Sequence, residues 1–159
     1  TNYVVLAQKL IEKYGKDFTD YDMSRIWLSL QPKDAYCTAE RVAFCNFVNG
    51  FEPPESAVYK NPYREWIGAQ IRGDYFGYIN PGKPQLAAEM AFRDASISHV
   101  KNGIYGEMFI AANVVIMRVD GFAMLPNFSF GTALTTYAGQ NVGAGLYDRV
   151  TKGAKEKRK

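Results

Sequence analysis

The sequence predicts an all-α fold, and three observations carry that prediction. Apolar residues recur at helical spacing in the N-terminal stretch, at Tyr3, Leu6, Leu10 and Tyr14, with Val4, Val5 and Ile11 widening the stripe. Two long helical patterns, about Pro84–Ser98 and Ile104–Arg118, follow a stretch rich in glycine. Residues suited to helix starts and stops stand at the ends of these patterns.

Taken in order, the first helix runs over Tyr3–Tyr14, and Gly15 stops it. Thr19 is the N-cap of a second helix, Asp20–Leu30, with Asp20 and Asp22 in its first turn, where negative charge is favoured. Pro32 follows its end. Thr38 caps a third helix that runs to about Asn49 and stops at Gly50. The segment Phe51–Pro62 holds three prolines and is expected as an extended surface loop. Helix resumes over Tyr63–Arg72, and Gly73–Lys83 forms a glycine-bearing loop. Pro84 suits the first turn of the next helix. The pattern Ile104–Arg118 is apolar on nearly every face and is expected to be buried on all sides.

With 159 residues, 47% hydrophobic and 22% charged, the chain has the size and composition of one globular domain able to bury a core. The net charge of +3 is unevenly spread. Residues 149–159 hold six of the 19 Lys/Arg and one of the 16 Asp/Glu, so that end carries +5 and the remainder −2. A nearly neutral body offers no nucleic-acid surface, and the basic end is expected to be solvated and disordered. Cys37 and Cys45, eight apart, would lie ~12 Å apart on one helix, too far for a disulfide. No secretory leader is visible, so reduced thiols and a cytoplasmic setting are the expectation.

The string Gly68-Ala-Gln-Ile-Arg72, then Gly77, Pro81-Gly82-x-Pro84, Asp94-Ala-Ser96-x-Ser98-His99 and Gly103-x-x-Gly106 resembles the middle of an ADP-ribosylglycohydrolase. Tyr36 to Gly50, Glu52-Pro-Pro-Glu55, Asn61-Pro-Tyr-Arg-Glu-Trp66 and Asn2 to Phe18 resemble the same family, so the likeness covers residues about 1–115. It implies an all-helical partial bundle over 1–118. It also implies cleavage of the N- or O-glycosidic bond of ADP-ribosylated substrates, with two magnesium ions in the complete family. ADP-ribose or an ADP-ribosylated substrate is then the implied partner.

Metal ions serve hydrolysis at an anomeric carbon by activating water and fixing sugar oxygens, and magnesium needs several hard oxygen ligands in one place. The family supplies these from a Thr-Asp-Asp motif and an Asp-x-Asp-Thr motif, and neither occurs here. Thr1-Asn2-Tyr3 resembles the segment just after the first. The lone Asp-x-Asp, Asp20-Tyr21-Asp22, is followed by Met23, and its place at a helix start explains it. No catalytic residue, no metal ligand and no cofactor are therefore expected for this chain alone.

The residues that match the family's ligand-holding middle are Arg72, Gly73, Gly77, Gly82, Ser98 and His99. Arg72 suits phosphate oxygens, the loop Gly73 to Gly82 offers backbone N–H groups, and His99 with Ser98 suits hydrogen bonding or stacking on a nucleotide. Structural roles stand beside these. Arg72 can bridge to Asp74 or Asp94 within the fold, the glycines can permit close helix contacts, and His99 can be a cap or a satisfied core group.

After about Val119 the pattern changes, and residues 119–159 read as a segment of different origin. Phe128 to Val150, with Gly139-Gln-Asn-Val-Gly-Ala-Gly145 and Tyr147-Asp-Arg149, resembles a piece of a multidrug and toxic compound extrusion transporter. No run there reaches the ~18 consecutive apolar residues of a membrane span. One short helix near Ser129–Ala138 is expected to lie loosely. Phe122, Leu125, Phe128, Phe130, Leu134, Tyr137 and Val142 offer partial hydrophobic cover, with leftover apolar surface that promotes self-association.

Overall fold

The computed structural model describes residues 2–156, without side-chain surroundings at 119, 122, 123 and 154–156. All regular structure among the described residues is helical: α1 (Asn2–Tyr14), α2 (Asp20–Leu30), α3 (Thr38–Val48), α4 (Glu55–Val58), α5 (Asp74–Tyr78), α6 (Pro84–Ala95), α7 (Asn102–Gly143) and α8 (Tyr147–Glu156), with 3-10 turns at Lys33–Ala35 and Ile67–Arg72. The all-α fold follows. The chain divides into two compact units, Thr1–Arg118 and Val119–Lys159.

In the first unit, α1 packs on α2 and α5, α2 on α3 and α6, and α3 on α4. The side chains between them form one core around Leu6, Leu10, Phe18, Met23, Trp27, Tyr36, Phe76, Met90 and Ile97. Trp27 and Tyr36 stack with ring centroids 4.4 Å apart. The start of α2 is built as its sequence implies. Thr19 Oγ1 accepts from the Asp22 amide while the Asp22 carboxylate accepts from the Thr19 amide, so two orphan donors are satisfied reciprocally.

Several local expectations are corrected. Cys37, not Thr38, is the N-cap of α3, and Thr38 takes φ +39° as the chain enters from the 3-10 turn. Phe51–Pro62 is not simply an extended surface loop, because it contains the one-turn helix α4 and buries Ser56, Ala57 and Asn61. Side chains anchor it: Asn46 Nδ2 donates to the carbonyls of Ser56 and Tyr59, each at 2.8 Å. Tyr63–Arg72 contains turns and a tight 3-10 segment in place of an α-helix. The expected loop Gly73–Lys83 opens with the short helix α5 and then turns at Gly82, φ +71°. The helix from Pro84 ends at Ala95, three residues short of Ser98.

The portion of α7 in the first unit, residues 102–118, is not buried all round. Ile104, Glu107, Ala111 and Val115 face the core, whereas Tyr105, Phe109, Ile116 and Met117 are more than half exposed. The buried stripe is narrow because it meets backbone. A Cβ built on Gly73 would lie 2.9 Å from the Glu107 carbonyl oxygen, and one on Gly77 would lie 2.7 Å from the Ala111 carbonyl oxygen and 2.6 Å from Val114 Cβ.

In the second unit the expected short helix Ser129–Ala138 is part of a longer one that reaches Gly143. Pro126 lacks the N–H that would bond one turn back, yet the helix continues across it. The threonines that interrupt the apolar pattern are accommodated locally. Thr132, Thr135 and Thr136 each donate to the carbonyl four residues earlier at 2.9 Å. A turn at Gly145, φ +73°, leads into α8, and Tyr137 Oη donates to the Arg149 carbonyl at 3.2 Å. Residues 149–156 of the basic end lie in α8; 157–159 lie outside the described residues, as does the side chain of Phe122. Leu125, Phe128 and Phe130 stay well exposed, so apolar cover in this unit is partial.

The glycines separate into two kinds with opposite mutational outcomes. Gly77→Ala forces a methyl against backbone and should destabilise by about 1–3 kcal/mol. Gly131→Ala adds a methyl in open space within a helix and should stabilise that helix by roughly 1 kcal/mol. Thermal melts of the two variants check this; equal melting temperatures would refute the close-approach role of Gly77.

Candidate functional site

Arg72 is the last residue of the 3-10 turn Ile67–Arg72 and is only 3% exposed. Its guanidinium sits 4.9 Å from the Trp27 ring centroid. Nε lies 2.9 Å from Asp94 Oδ2, an ion pair not aligned as a hydrogen bond. Nη2 donates to the Asp94 carbonyl at 3.2 Å and to Glu107 Oε2 at 3.3 Å, and Nη1 donates to Ser98 Oγ at 3.2 Å. Ser98 Oγ in turn lies 2.8 Å from His99 Nδ1. Asp94, Ser98, His99 and Glu107 are all fully buried. Helix α6 supplies Asp94, the turn after it supplies Ser98 and His99, and α7 supplies Glu107.

One cation faces two carboxyl groups here, and the charge balance shows in the acidity of Glu107. Burial raises the Glu107 pKa well above the usual carboxylate range, and neighbouring Asp94 pushes the same way, against the opposing pull of Arg72. Burial alone would lower the Arg72 pKa, but Asp94 and then Glu107 more than offset it and hold the guanidinium charged. A neutral Glu107 beside an Arg72–Asp94 pair leaves the cluster without net charge, the arrangement a low-dielectric interior tolerates best. Burial pushes Tyr3 up to about 12, helped by Glu40, and burial also raises Tyr36.

Of the six residues singled out in the sequence, the fold brings Arg72, Ser98 and His99 into this one cluster. Gly73 and Gly77 lie apart from the guanidinium contacts and receive α7 at close range, and Gly82 is a turn residue with open space about it. Of the two internal bridges considered for Arg72, the one to Asp94 is present. Sequence reasoning missed Glu107, Trp27 and Tyr36. Glu107 had a signal, because it stands in the stripe Ile104, Glu107, Ala111, where a carboxyl must find a buried partner. Trp27 and Tyr36 had none, since aromatic residues in an apolar pattern look like any other core residue.

The donor set does not fit a pair of magnesium ions. Among the described residues no group of three or more His, Cys, Asp or Glu is placed to hold a metal ion. Asp22 accepts from the Thr19 amide and hydroxyl, and Asp20 Oδ1 accepts from the Tyr21 amide, so both belong to the helix start. An open groove of about 390 Å³ in the same unit is lined by Asp17, Leu86, Glu89, Phe92, Arg93 and Met108, none of them in the Arg72 cluster.

The fold and the cluster together define an all-α protein organised about a buried arginine. No protein-family model, no curated protein and no solved structure matches the chain. Among the described residues no helix is long and apolar enough to cross a membrane.

Removing one partner should separate the roles of the charges. Arg72→Leu strands Asp94 and should cost about 3–5 kcal/mol in urea unfolding. Glu107→Gln keeps the shape and replaces a group that favours its neutral form, so it should change stability by less than about 1.5 kcal/mol at and below pH 4.5. The sign with pH follows. A raised folded pKa gives stability that is full below the unfolded value of 4.5 and falls as pH rises through the folded value. Glu107→Gln should remove that decline above pH 4.5. A large loss in Glu107→Gln, equal to that of Arg72→Leu, would show that Glu107 carries its charge.

Proposed function

We propose that residues 1–118 form an ADP-ribosylglycohydrolase-like helical module that is non-catalytic in this chain and acts by associating with a protein partner, a second copy included, in a cytoplasmic setting. The observation that carries the reading is the inward orientation of the cluster. Arg72 pairs with the carboxyl groups of Asp94 and Glu107 and donates to Ser98, and Ser98 contacts His99, all with almost no exposure. A guanidinium so engaged is a framework element, and offering it to a diphosphate would strand Asp94 in the interior. The exposed Tyr105, Phe109, Ile116 and Met117 supply apolar surface for association.

A second reading keeps the partner that the resemblance implies. Arg72, Ser98 and His99 share one cluster, so weak binding of ADP-ribose or an ADP-ribosylated substrate would report on all three. Hydrolysis of the glycosidic bond belongs to the complete family, with its magnesium ions, and on both readings this chain alone does not perform it.

The test combines an assay with a titration. Pure protein with magnesium and an ADP-ribosylated protein is expected to release no ADP-ribose above the rate without protein. Metal-dependent release would overturn the non-catalytic reading. Sedimentation of the same protein should show concentration-dependent association. Millimolar ADP-ribose should leave the His99 ring NMR signals unmoved; a shift lost in Arg72→Lys would favour the nucleotide reading over association.

A further inference from the structure

The turn between α6 and α7 carries a hydrogen-bond relay from Arg72 through Ser98 to His99. Arg72 has donors only, so Ser98 Oγ accepts from it. His99 Nδ1, 2.8 Å away, is an acceptor for the single Ser98 hydroxyl hydrogen when the ring carries its proton on Nε2. The tautomer that lets Ser98 donate is the neutral one with its proton on Nε2, and among the described residues Nε2 has no hydrogen-bond partner although the ring is fully buried. The same turn is held from outside the relay at several points. Ser56 Oγ donates to the Ile97 carbonyl at 2.9 Å, Asn61 Nδ2 to the Ser98 carbonyl at 3.1 Å, and the Val100 amide to the Arg64 carbonyl at 2.8 Å. Two residues past His99, Lys101 sits at φ +47°, a left-handed conformation that a non-glycine residue adopts at a cost.

We propose that this turn is an acid-released latch, with His99 as the group whose protonation opens it. An imidazolium must donate from Nδ1. Ser98 Oγ would then receive two cationic donors, its own hydrogen would lose its acceptor, and the new charge would sit beside Arg72. The other titratable groups of this core are Asp94 on α6, Glu107 on α7, Glu40 on α3, Tyr3 on α1 and Tyr36. These act on Arg72 or on one another, whereas the one charge that acts on His99 is Arg72, and it repels. Among the described residues no carboxyl bonds the ring, so the imidazolium gains no partner there by staying folded. Burial and then Arg72 lower the His99 pKa from 6.5 to about 3. The sign follows: a depressed folded pKa gives stability that is complete above 6.5 and is lost as pH falls toward 3. Relief of the strained Lys101 conformation favours opening at the turn over opening elsewhere in the unit.

Amide hydrogen exchange of the full chain, followed by NMR from pH 7 to pH 5, tests this. The opening constants of the amides from Ser98 to Gly103 should rise about tenfold per pH unit below about 6.5, once the intrinsic exchange rates are divided out. Amides of α1–α3 should change little. His99→Asn, whose side-chain oxygen can still accept from Ser98, should abolish the pH dependence. An unchanged pH dependence in His99→Asn overturns the latch, and so does an equal rise across α1–α3, which would mean that acid unfolds the unit as a whole. Should His99→Asn fail to fold, the wild-type ring decides. A His99 imidazole that titrates near pH 6.5 in an intact fold overturns the proposal, and one that stays neutral until the turn opens supports it.

Discussion

A buried arginine is the constraint on which the first unit depends. Taking a guanidinium out of water costs several kcal/mol, and the unit offsets that only by surrounding Arg72 with acceptors on separate elements. Asp94 comes from α6, Glu107 from α7, Ser98 from the turn between them, and Trp27 of α2 covers the guanidinium from one side. Each of these elements must therefore be in register before the cation is satisfied. Apolar packing tolerates sliding, whereas a fork of N–H donors does not. The cluster fixes which arrangement of these helices is the stable one.

The glycines are the steric counterpart of that electrostatic condition. Glu107 reaches Arg72 because α7 lies against the chain just past it, and the approach is possible because Gly73 and Gly77 present no side chain there. Gly106 likewise gives room to the Gln70 side chain, and Gly103 to the Arg64 carbonyl and the His99 ring. A sequence stretch that suggests a ligand-cradling loop thus also has a complete internal use. Close backbone approach looks the same in sequence whether the neighbour is a phosphate or a helix.

This ambiguity separates what was legible from what was not. The helix over Asn2–Tyr14, the Thr19 cap and the proline start of α6 depend on contacts within a few residues, and local pattern exposed them. The burial of α7 depended on how many neighbours surround it, a nonlocal property, so Tyr105, Phe109, Ile116 and Met117 came out exposed against expectation. The threonines of residues 132–136 looked like interruptions because their hydroxyls are polar. In a helix those hydroxyls can bond the carbonyl one turn back, and the helix runs through them. In the cluster, Arg72, Ser98 and His99 stood out by type, whereas Glu107 was marked only by its place in the stripe Ile104, Glu107, Ala111.

The orientation of the cluster bears on function through electrostatics rather than through access alone. A charge network that closes on itself has little left to offer a ligand. Any anion that recruited Arg72 would have to compensate Asp94, and any cation would have to displace Arg72. A change of proton count alters the cluster without either exchange. Glu107, which faces the buried arginine, is already inclined to hold its proton. His99 stands differently: neutral, without a carboxyl partner among the described residues, and joined through one serine hydroxyl to the residue that holds the helices in register.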